Sequence, residues 1–391
     1  MPEITTIILS GGKATRMKPL SIDKCKSMIS FMGKPLLFYL IKALQLNGFL
    51  DVVFTSSGKD REIEGYFSHG ENFGIKIQYC DSDKWYGTAG TVKKLVDIMK
   101  EKVSNTFMVI YGDSLLSADY EKMFQFHREK KSWCTILFHR PDFKSFLYEY
   151  HDKSFKECGK RTNYGILDID SNNRVTNIKE KPLVDEIKRD FKNPVANAAV
   201  YILEKKILDF IPSDQSCDFP LDLFPLIVEK GIPCFGFDTG EGYRIDIGTI
   251  VNYYNSHFAI LKGYIKFGFY FPQVENGIWV GNSSEVCAKE SLKRPVIIGE
   301  KSKINFDTTI ENSIIGNNVY IGKYSYITNS IILDNVCIED NVRISNSIIG
   351  ENSNIEEKTL LPPNTVLGSY CRIGGSELLM KDSDFLGLIR R

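Results

Sequence analysis

The sequence predicts two structural units of different kinds: an α/β domain on a mostly parallel sheet, followed by a parallel β-helix. Two patterns carry this expectation. From Ile4 to about Gly263, short β-branched or aromatic runs alternate with helical stretches, the order that gives a parallel sheet covered by helices. From Val280 onward an aliphatic residue recurs at nearly every sixth position, the spacing of a coil with three short faces that stacks its aliphatics inward.

The first unit opens on Thr6–Leu9, a buried apolar strand stopped by Gly11 and Gly12. Further strands are expected at Asp51–Thr55, Ile75–Tyr79, Thr106–Tyr111, Thr135–His139, Gly165–Ile169, Ala198–Ile202 and Pro233–Phe237. Helices are expected at Leu36–Leu46, Ala89–Glu101, Tyr120–Lys130 and Leu221–Glu229, and a last one at Ile250–Leu261 with Gly263 as its C-cap. Ligands of such sheets bind beyond the carboxyl ends of the strands. The Gly11 loop, Gly112-Asp113 and Asp246 all fall there.

The second unit keeps its register over a long distance. The aliphatics are Val280, Val286, Leu292, Ile298, Ile304, Ile310, Ile315, Ile321, Ile327, Ile332, Ile338, Ile344, Ile349, Ile355, Leu361, Leu367 and Ile373. Ile298, Ile315, Ile332 and Ile349 are 17 residues apart, and Glu-Asn-Ser, Thr-Asn-Ser and Ser-Asn-Ser follow Ile310, Ile327 and Ile344. A single coil buries nothing alone, so several must stack into one quasi-linear core. The expected organisation is a domain over 1–263, a linker over 264–277, the β-helix over 278–375 and a tail over 376–391. The aromatics Phe267, Phe269, Tyr270 and Phe271 are expected to dock the linker.

Bulk properties exclude several classes. With 49 basic and 49 acidic residues the net charge is +0, which leaves no electrostatic footprint for nucleic acid or an anionic membrane. Nine scattered cysteines without Cys-x-x-Cys suit reduced thiols in a cytoplasmic protein. No leader is visible at the first residues, and no apolar run approaches the ~20 residues of a membrane helix.

An anion site must therefore be local, and the first 35 residues supply one. Gly11 and Gly12 let backbone N–H groups approach a phosphate chain closely. Arg16 and Lys26 add two cations near that loop. Leu9-Ser-Gly-Gly, Thr15-Arg16, Pro19-Leu20, Lys26 and Gly33-Lys34-Pro35 resemble the signature of the sugar-phosphate nucleotidyltransferases, the nucleoside-diphosphate-sugar pyrophosphorylases. The resemblance runs along nearly the whole chain. Tyr86-Gly87-Thr88-Ala89-Gly90 resembles that family's second glycine motif and Gly112-Asp113 its metal aspartate. Tyr164-Gly165, Glu180-Lys181-Pro182 and Asn197-Ala198 resemble its sugar-binding motifs, and Asp246-Ile-Gly-Thr249 its second metal site. The tail resembles the left-handed β-helix of longer members, behind a Rossmann-like catalytic domain.

The resemblance implies a sugar 1-phosphate oxygen attacking the α-phosphorus of a nucleoside triphosphate, with pyrophosphate leaving. The nucleophile is already an anion, so positioning and charge stabilisation dominate. Arg16 would grip the triphosphate and leaving group, and Lys26 the α-phosphate. Gly11, Gly12, Thr15, Gly87, Thr88 and Gly112 would contact the nucleotide. Tyr164, Gly165, Glu180, Lys181 and Asn197 would hold the sugar phosphate, and Asp113 and Asp246 a Mg²⁺ ion. Taken singly, each is an ordinary turn, surface or core residue; the motif set as a whole assigns them. The five histidines lack metal-ligand spacing and receive no role.

Three departures bear on substrate rather than activity. Ala14 and Ala199 stand where glycine is common, and Cys25 and Ser27 flank Lys26 where proline is usual. Ser10 and Ser21 resemble some mannose-1-phosphate guanylyltransferases, which favours GTP and mannose 1-phosphate over thymidylyl, adenylyl or uridylyl transfer. Residues 258–391 contain no histidine, the usual general base, so acyl transfer in the β-helix is not expected; homo-oligomerisation or regulation is. A non-catalytic nucleotide-sugar-binding subunit is the contrasting class, disfavoured by the retained charges.

Overall fold

The computed structural model describes residues 4–10, 14–22, 24–56, 61–81, 84–140, 161–162, 164–240, 244–267 and 271–374. The chain forms two compact units, and they cut it elsewhere than at residue 263. One holds the chain up to Gly11 and Leu37–Arg244; the other holds Gly12–Leu36 and Ile245 onward.

The first unit is built on nine strands: β1 (Thr5–Leu9), β2 (Asp51–Ser56), β3 (Lys76–Asp81), β4 (Thr106–Tyr111), β5 (Cys134–His139), β6 (Gly165–Ile169), β7 (Val175–Glu180), β8 (Pro194–Glu204) and β9 (Cys234–Asp238). Their order is β7-β6-β8-β4-β1-β2-β3, and β5 joins β8 to β9. The β3-β2-β1-β4 half is parallel, as expected, with Thr5 opposite Asp51 and Phe107. Beyond it β8 runs antiparallel to β4, β5 and β6, and β7 antiparallel to β6. The sheet is thus mixed. β7 was not expected from sequence because four of the six residues in Val-Thr-Asn-Ile-Lys-Glu are polar; only Val175 and Ile178 of it are buried.

Helices α1 (Leu36–Leu46), α2 (Arg61–Phe67), α3 (Gly87–Met99), α4 (Tyr120–Glu129), α5 (Val184–Asp190) and α6 (Phe224–Glu229) complete this unit. Asp119 caps α4 by accepting the Lys122 N–H at 2.9 Å, satisfying one orphan donor. α4 packs on β5 and β9, α3 on β2 and α6 on β7. Ile7, Val53, Val92, Phe107, Ile136 and Phe224 lie in one buried cluster.

The second unit contains the β-helix, helix α7 (Ile250–Leu261) and the segment preceding α1. Parallel two- to seven-residue strands stack coil on coil, with Ile315 opposite Ile332, and Ile332 opposite Ile349. Every aliphatic of the six-residue pattern falls in or against one core, Ile304, Ile321 and Ile338 among those with no exposure. The Asn-Ser repeats acquire a reason. Asn312, Asn329 and Asn346 turn corners with φ of 43°, 49° and 50°, a left-handed conformation asparagine tolerates best among non-glycines. The serines that follow run as a ladder: Ser313 Oγ accepts the Ser330 N–H and Ser330 Oγ the Ser347 N–H, each at 3.1 Å. Within the expected linker, Phe271 is buried and Phe267 packs edge-on to Phe31.

Candidate active site

In the first unit, three strands bring the sugar-motif residues together. β6 and β7 place Gly165 opposite Glu180, and β8 sets Asn197 beside them. A Cβ on Gly165 would lie 2.6 Å from Glu180 Oε2 and 3.6 Å from the Asn197 side chain. The glycine is what admits the carboxylate. Burial raises the Glu180 carboxyl pKa, and Lys181, whose ammonium is 3.5 Å away, opposes the rise. Lys181 itself takes a left-handed φ of 46°, and its N–H donates to Tyr164 O. The Tyr164 ring lies under the Arg244 guanidinium at 4.5 Å and meets the His139 ring at right angles. Burial first, then Arg244, lowers the His139 pKa to about 3.

Asn197 is committed at both ends. Its Oδ1 accepts the Ala199 N–H at 2.9 Å and its Nδ2 donates to Tyr201 Oη at 3.0 Å. Ala199 sits in a bulge of β8 with a φ of 59°, which accounts for the glycine usual at that place. Ala14 likewise has a φ of 42°. Both alanines keep a backbone conformation that glycine adopts without strain.

Two tyrosines, Tyr201 and Tyr111, lie between this cluster and the second glycine motif. The Tyr111 ring meets the Tyr201 ring edge-on at 6.1 Å, and the Thr88 and Tyr201 hydroxyls oppose the rise that burial gives the Tyr111 pKa. Thr88 Oγ1 donates to Asp218 Oδ1 at 2.9 Å and accepts the Phe219 N–H at 2.9 Å. Burial pushes both tyrosine pKa values up, so the hydroxyls remain protonated. Gly87 opens α3 with a φ of 74°, and a Cβ there would stand 2.5 Å from Cys217 O. The Ala89 and Gly90 N–H groups both donate to that same oxygen. Gly87 therefore brings the helix start against the backbone at Cys217.

Asp218, Tyr111 and Tyr201 were not singled out from sequence. The two tyrosines read as strand core, and Asp218 as one acid of a polar loop. Only the fold brings Asp218 to Thr88 across 130 positions. Gly112 and Asp113 form the turn after β4, with the Gly112 N–H donating to Leu9 O at 3.0 Å; Asp113 is half-buried and acts electrostatically on Tyr111.

In the second unit, Ala14 leads into the turn Thr15–Met17 and Cys25 into the turn Lys26–Met28. Thr15 and Arg16 are exposed and Lys26 is half-buried. The Ser21 hydroxyl donates to Ala14 O at 2.8 Å, closing the segment on itself. Asp246 ends the short strand Arg244–Asp246 ahead of α7, whose N-cap Thr249 accepts the Asn252 N–H at 3.1 Å. Gly11 and Gly12 lie outside the described residues. No group of three or more His, Cys, Asp or Glu side chains among the described residues forms a metal cage. Mg²⁺ needs none, since one or two carboxylates and substrate phosphates hold it.

Comparison with known proteins gives the family. Residues 5–263 match the family model described as nucleotidyl transferase, and 275–378 match the EIF2B subunit epsilon LbH domain. The UTP–glucose-1-phosphate uridylyltransferase of Synechocystis is 30% identical over 76% of this chain and 74% of its own length. The mannose-1-phosphate guanylyltransferase of Mycobacterium tuberculosis is 25% identical over 67% of this chain and 66% of its own. The crystal structure of HddC from Yersinia pseudotuberculosis complexed with GMP-PN covers 66% of this chain and 99% of that one, at 26% identity and a TM-score of 0.50. The chain belongs to the nucleotidyl transferase family and is a sugar-1-phosphate nucleotidyltransferase carrying a C-terminal left-handed β-helix.

Proposed function

We propose that this enzyme is a guanylyltransferase that joins mannose 1-phosphate, or a closely related sugar 1-phosphate, to GTP and releases pyrophosphate. The observation that supports sugar binding is the Glu180 carboxylate, admitted by Gly165 and set beside Asn197. A half-buried acceptor of this kind suits sugar hydroxyls, and Lys181 beside it suits the phosphate. For the base, support comes from Ser10 and Ser21 and from relatives named for mannose 1-phosphate and guanylyl transfer.

The sugar phosphate oxygen forms a bond to the α-phosphorus as the bond to the leaving pyrophosphate breaks. Arg16 neutralises the charge that accumulates on pyrophosphate, and Lys26 that on the α-phosphate oxygens. Neither needs to move a proton. Members of the family generally use a divalent metal. The family resemblance makes Asp113 and Asp246 the candidate carboxylates for Mg²⁺, which would supply charge neutralisation on the triphosphate. No helix among the described residues is long and apolar enough to cross a membrane, in keeping with a cytoplasmic setting. The exposed Tyr324 and Leu360 of the β-helix offer apolar surface for a homo-oligomer.

The test is pyrophosphate release with Mg²⁺ over a matrix of nucleoside triphosphates and sugar 1-phosphates. GTP with mannose 1-phosphate should dominate, and Asp113→Asn should abolish its turnover. Dominance of UTP with glucose 1-phosphate would overturn the base and the sugar together.

A further inference from the structure

The segment that bears Arg16 and Lys26 is built into the same compact unit as the β-helix, and its contacts there follow one corner of the coils. Glu300, Asn317, Asp334 and Glu351 stand 17 residues apart, one per coil. They bond along the stack: the Glu300 N–H donates to Asn317 Oδ1 at 2.9 Å, and the Asn317 N–H to Asp334 Oδ1 at 2.8 Å. The signature segment lies along this ladder. Asn317 Nδ2 donates to Gly33 O at 3.0 Å, Lys24 forms an ion pair with Glu351, and Pro19 approaches the position of a Cβ on Gly368 at 3.2 Å. Chain order thus reverses coil order: 33, 24 and 19 against 317, 351 and 368. On the other side α7 holds the segment, with Tyr253 Oη donating to Ser30 O at 2.5 Å and the Met32 N–H donating to His257 Nε2 at 3.3 Å.

The one charged link in this series is also the one nearest the chemistry. Lys24 is two residues before Lys26, and the Glu351 side chain is only 10% exposed. Burial raises the pKa of neighbouring Asp334, Glu351 raises it further, and Lys24 lowers it. Tyr253 feels both carboxylates as well. The Lys24 ammonium therefore sits against a buried acidic ladder, where the geometry of an ion pair counts for more than at a surface.

We propose that Lys24 and Glu351 are a positioning pair for nucleotidyl transfer: the fourth rung of the β-helix ladder sets the segment that carries Lys26 and Arg16. The β-helix is then part of the catalytic apparatus, beyond any role in assembly. This rests on the reading of Arg16 and Lys26 as triphosphate-binding cations. A displacement of about 1 Å at such groups costs on the order of 100-fold in rate.

The experiment uses the full-length protein with single variants Glu351→Ala and Lys24→Met and the charge swap Lys24→Glu/Glu351→Lys. Each single variant should lower kcat/KM at least about tenfold, with KM for the nucleoside triphosphate raised and KM for the sugar 1-phosphate unchanged. The swap should recover most of the loss, and Glu357→Gln, at an exposed β-helix carboxylate paired with Lys358, should lose nothing. Unchanged kinetics in both single variants would overturn the proposal, as would a swap no better than the singles or an equal rise of both KM values. If a single variant fails to fold, the near-isosteric Glu351→Gln decides: a kcat/KM lowered about tenfold or more with a raised triphosphate KM supports the pair, and wild-type kinetics refute it. Full activity of Arg16→Ala and Lys26→Ala would instead bring down the catalytic reading itself.

Discussion

Replacing Gly165 with alanine tests the candidate sugar site with little disturbance to the fold. The new Cβ would stand 2.6 Å from Glu180 Oε2 and 3.6 Å from Asn197. Ordinary contact begins at about 3.4 Å, so the carboxylate must retreat by about 0.8 Å while Asn197 need not move. Gly165 pairs in a strand without a left-handed φ, so alanine adds no backbone strain. An off-rotamer Glu180 costs about 0.5–1.5 kcal/mol, and a stiffer unfolded chain returns about 0.4–1 kcal/mol. The two nearly cancel, and Tm should shift by no more than a few degrees. Function should respond more strongly, because a group misplaced by nearly 1 Å loses up to ~100-fold. Steady-state kinetics should show KM for the sugar 1-phosphate raised about tenfold or more, with KM for the nucleoside triphosphate little changed. Wild-type kinetics in a folded variant would refute the assignment of Glu180 to the sugar. A large loss of Tm would refute the reasoning that the clash falls on a yielding side-chain end.

Gly87→Ala should behave in the opposite way, because its Cβ meets the backbone at Cys217 and its φ is 74°; a loss of about 2–4 kcal/mol is expected in denaturant unfolding. Ala199→Gly should stabilise by about 0.5–1 kcal/mol, since it relieves a φ of 59° against a more flexible unfolded chain. Tyr201→Phe leaves Asn197 Nδ2 without its buried acceptor at 3.0 Å, with an expected cost of about 1–3 kcal/mol. Stability should also fall with acid. The buried imidazoles of His139 and His257 have pKa values lowered to about 3 and about 4, whereas in the unfolded chain they take up protons near pH 6.5. Between pH 6.5 and about 4 the unfolded state binds more protons, so stability is full above 6.5 and declines by about 1.4 kcal/mol per unit for each histidine. Urea titrations at pH 7 and 5 on wild type and His257→Gln would show the slope reduced in the variant; an unchanged slope would exclude His257.

The β-helix was legible almost residue by residue, because a stack of identical coils repeats one environment. The parallel half of the sheet was equally legible: β1, β2 and β4 are buried on both faces, so their apolar runs are unbroken. Legibility failed where polar residues serve structure. β7 alternates too weakly to be seen, α2 and α5 are too short to show a period, and the antiparallel β8 reads the same as a parallel strand. In the site, Gly165, Glu180 and Asn197 were found as motif residues, yet their meeting at one point depends on the register of β6, β7 and β8.

By itself the sequence determined the reaction class, since glycines, cations and aspartates in that order leave few chemistries open. It also determined the repeat, since inward aliphatic spacing is a local property. Tertiary structure alone decided that Gly12–Leu36 joins the unit of the β-helix, that Asp218 accepts the Thr88 hydroxyl, and that Glu351 meets Lys24 across 327 positions. Periodicity and propensity are read within a few turns of chain. Contacts between groups hundreds of residues apart are chosen by packing the whole core, where each of the many buried side chains contributes about 1.5–3 kcal/mol.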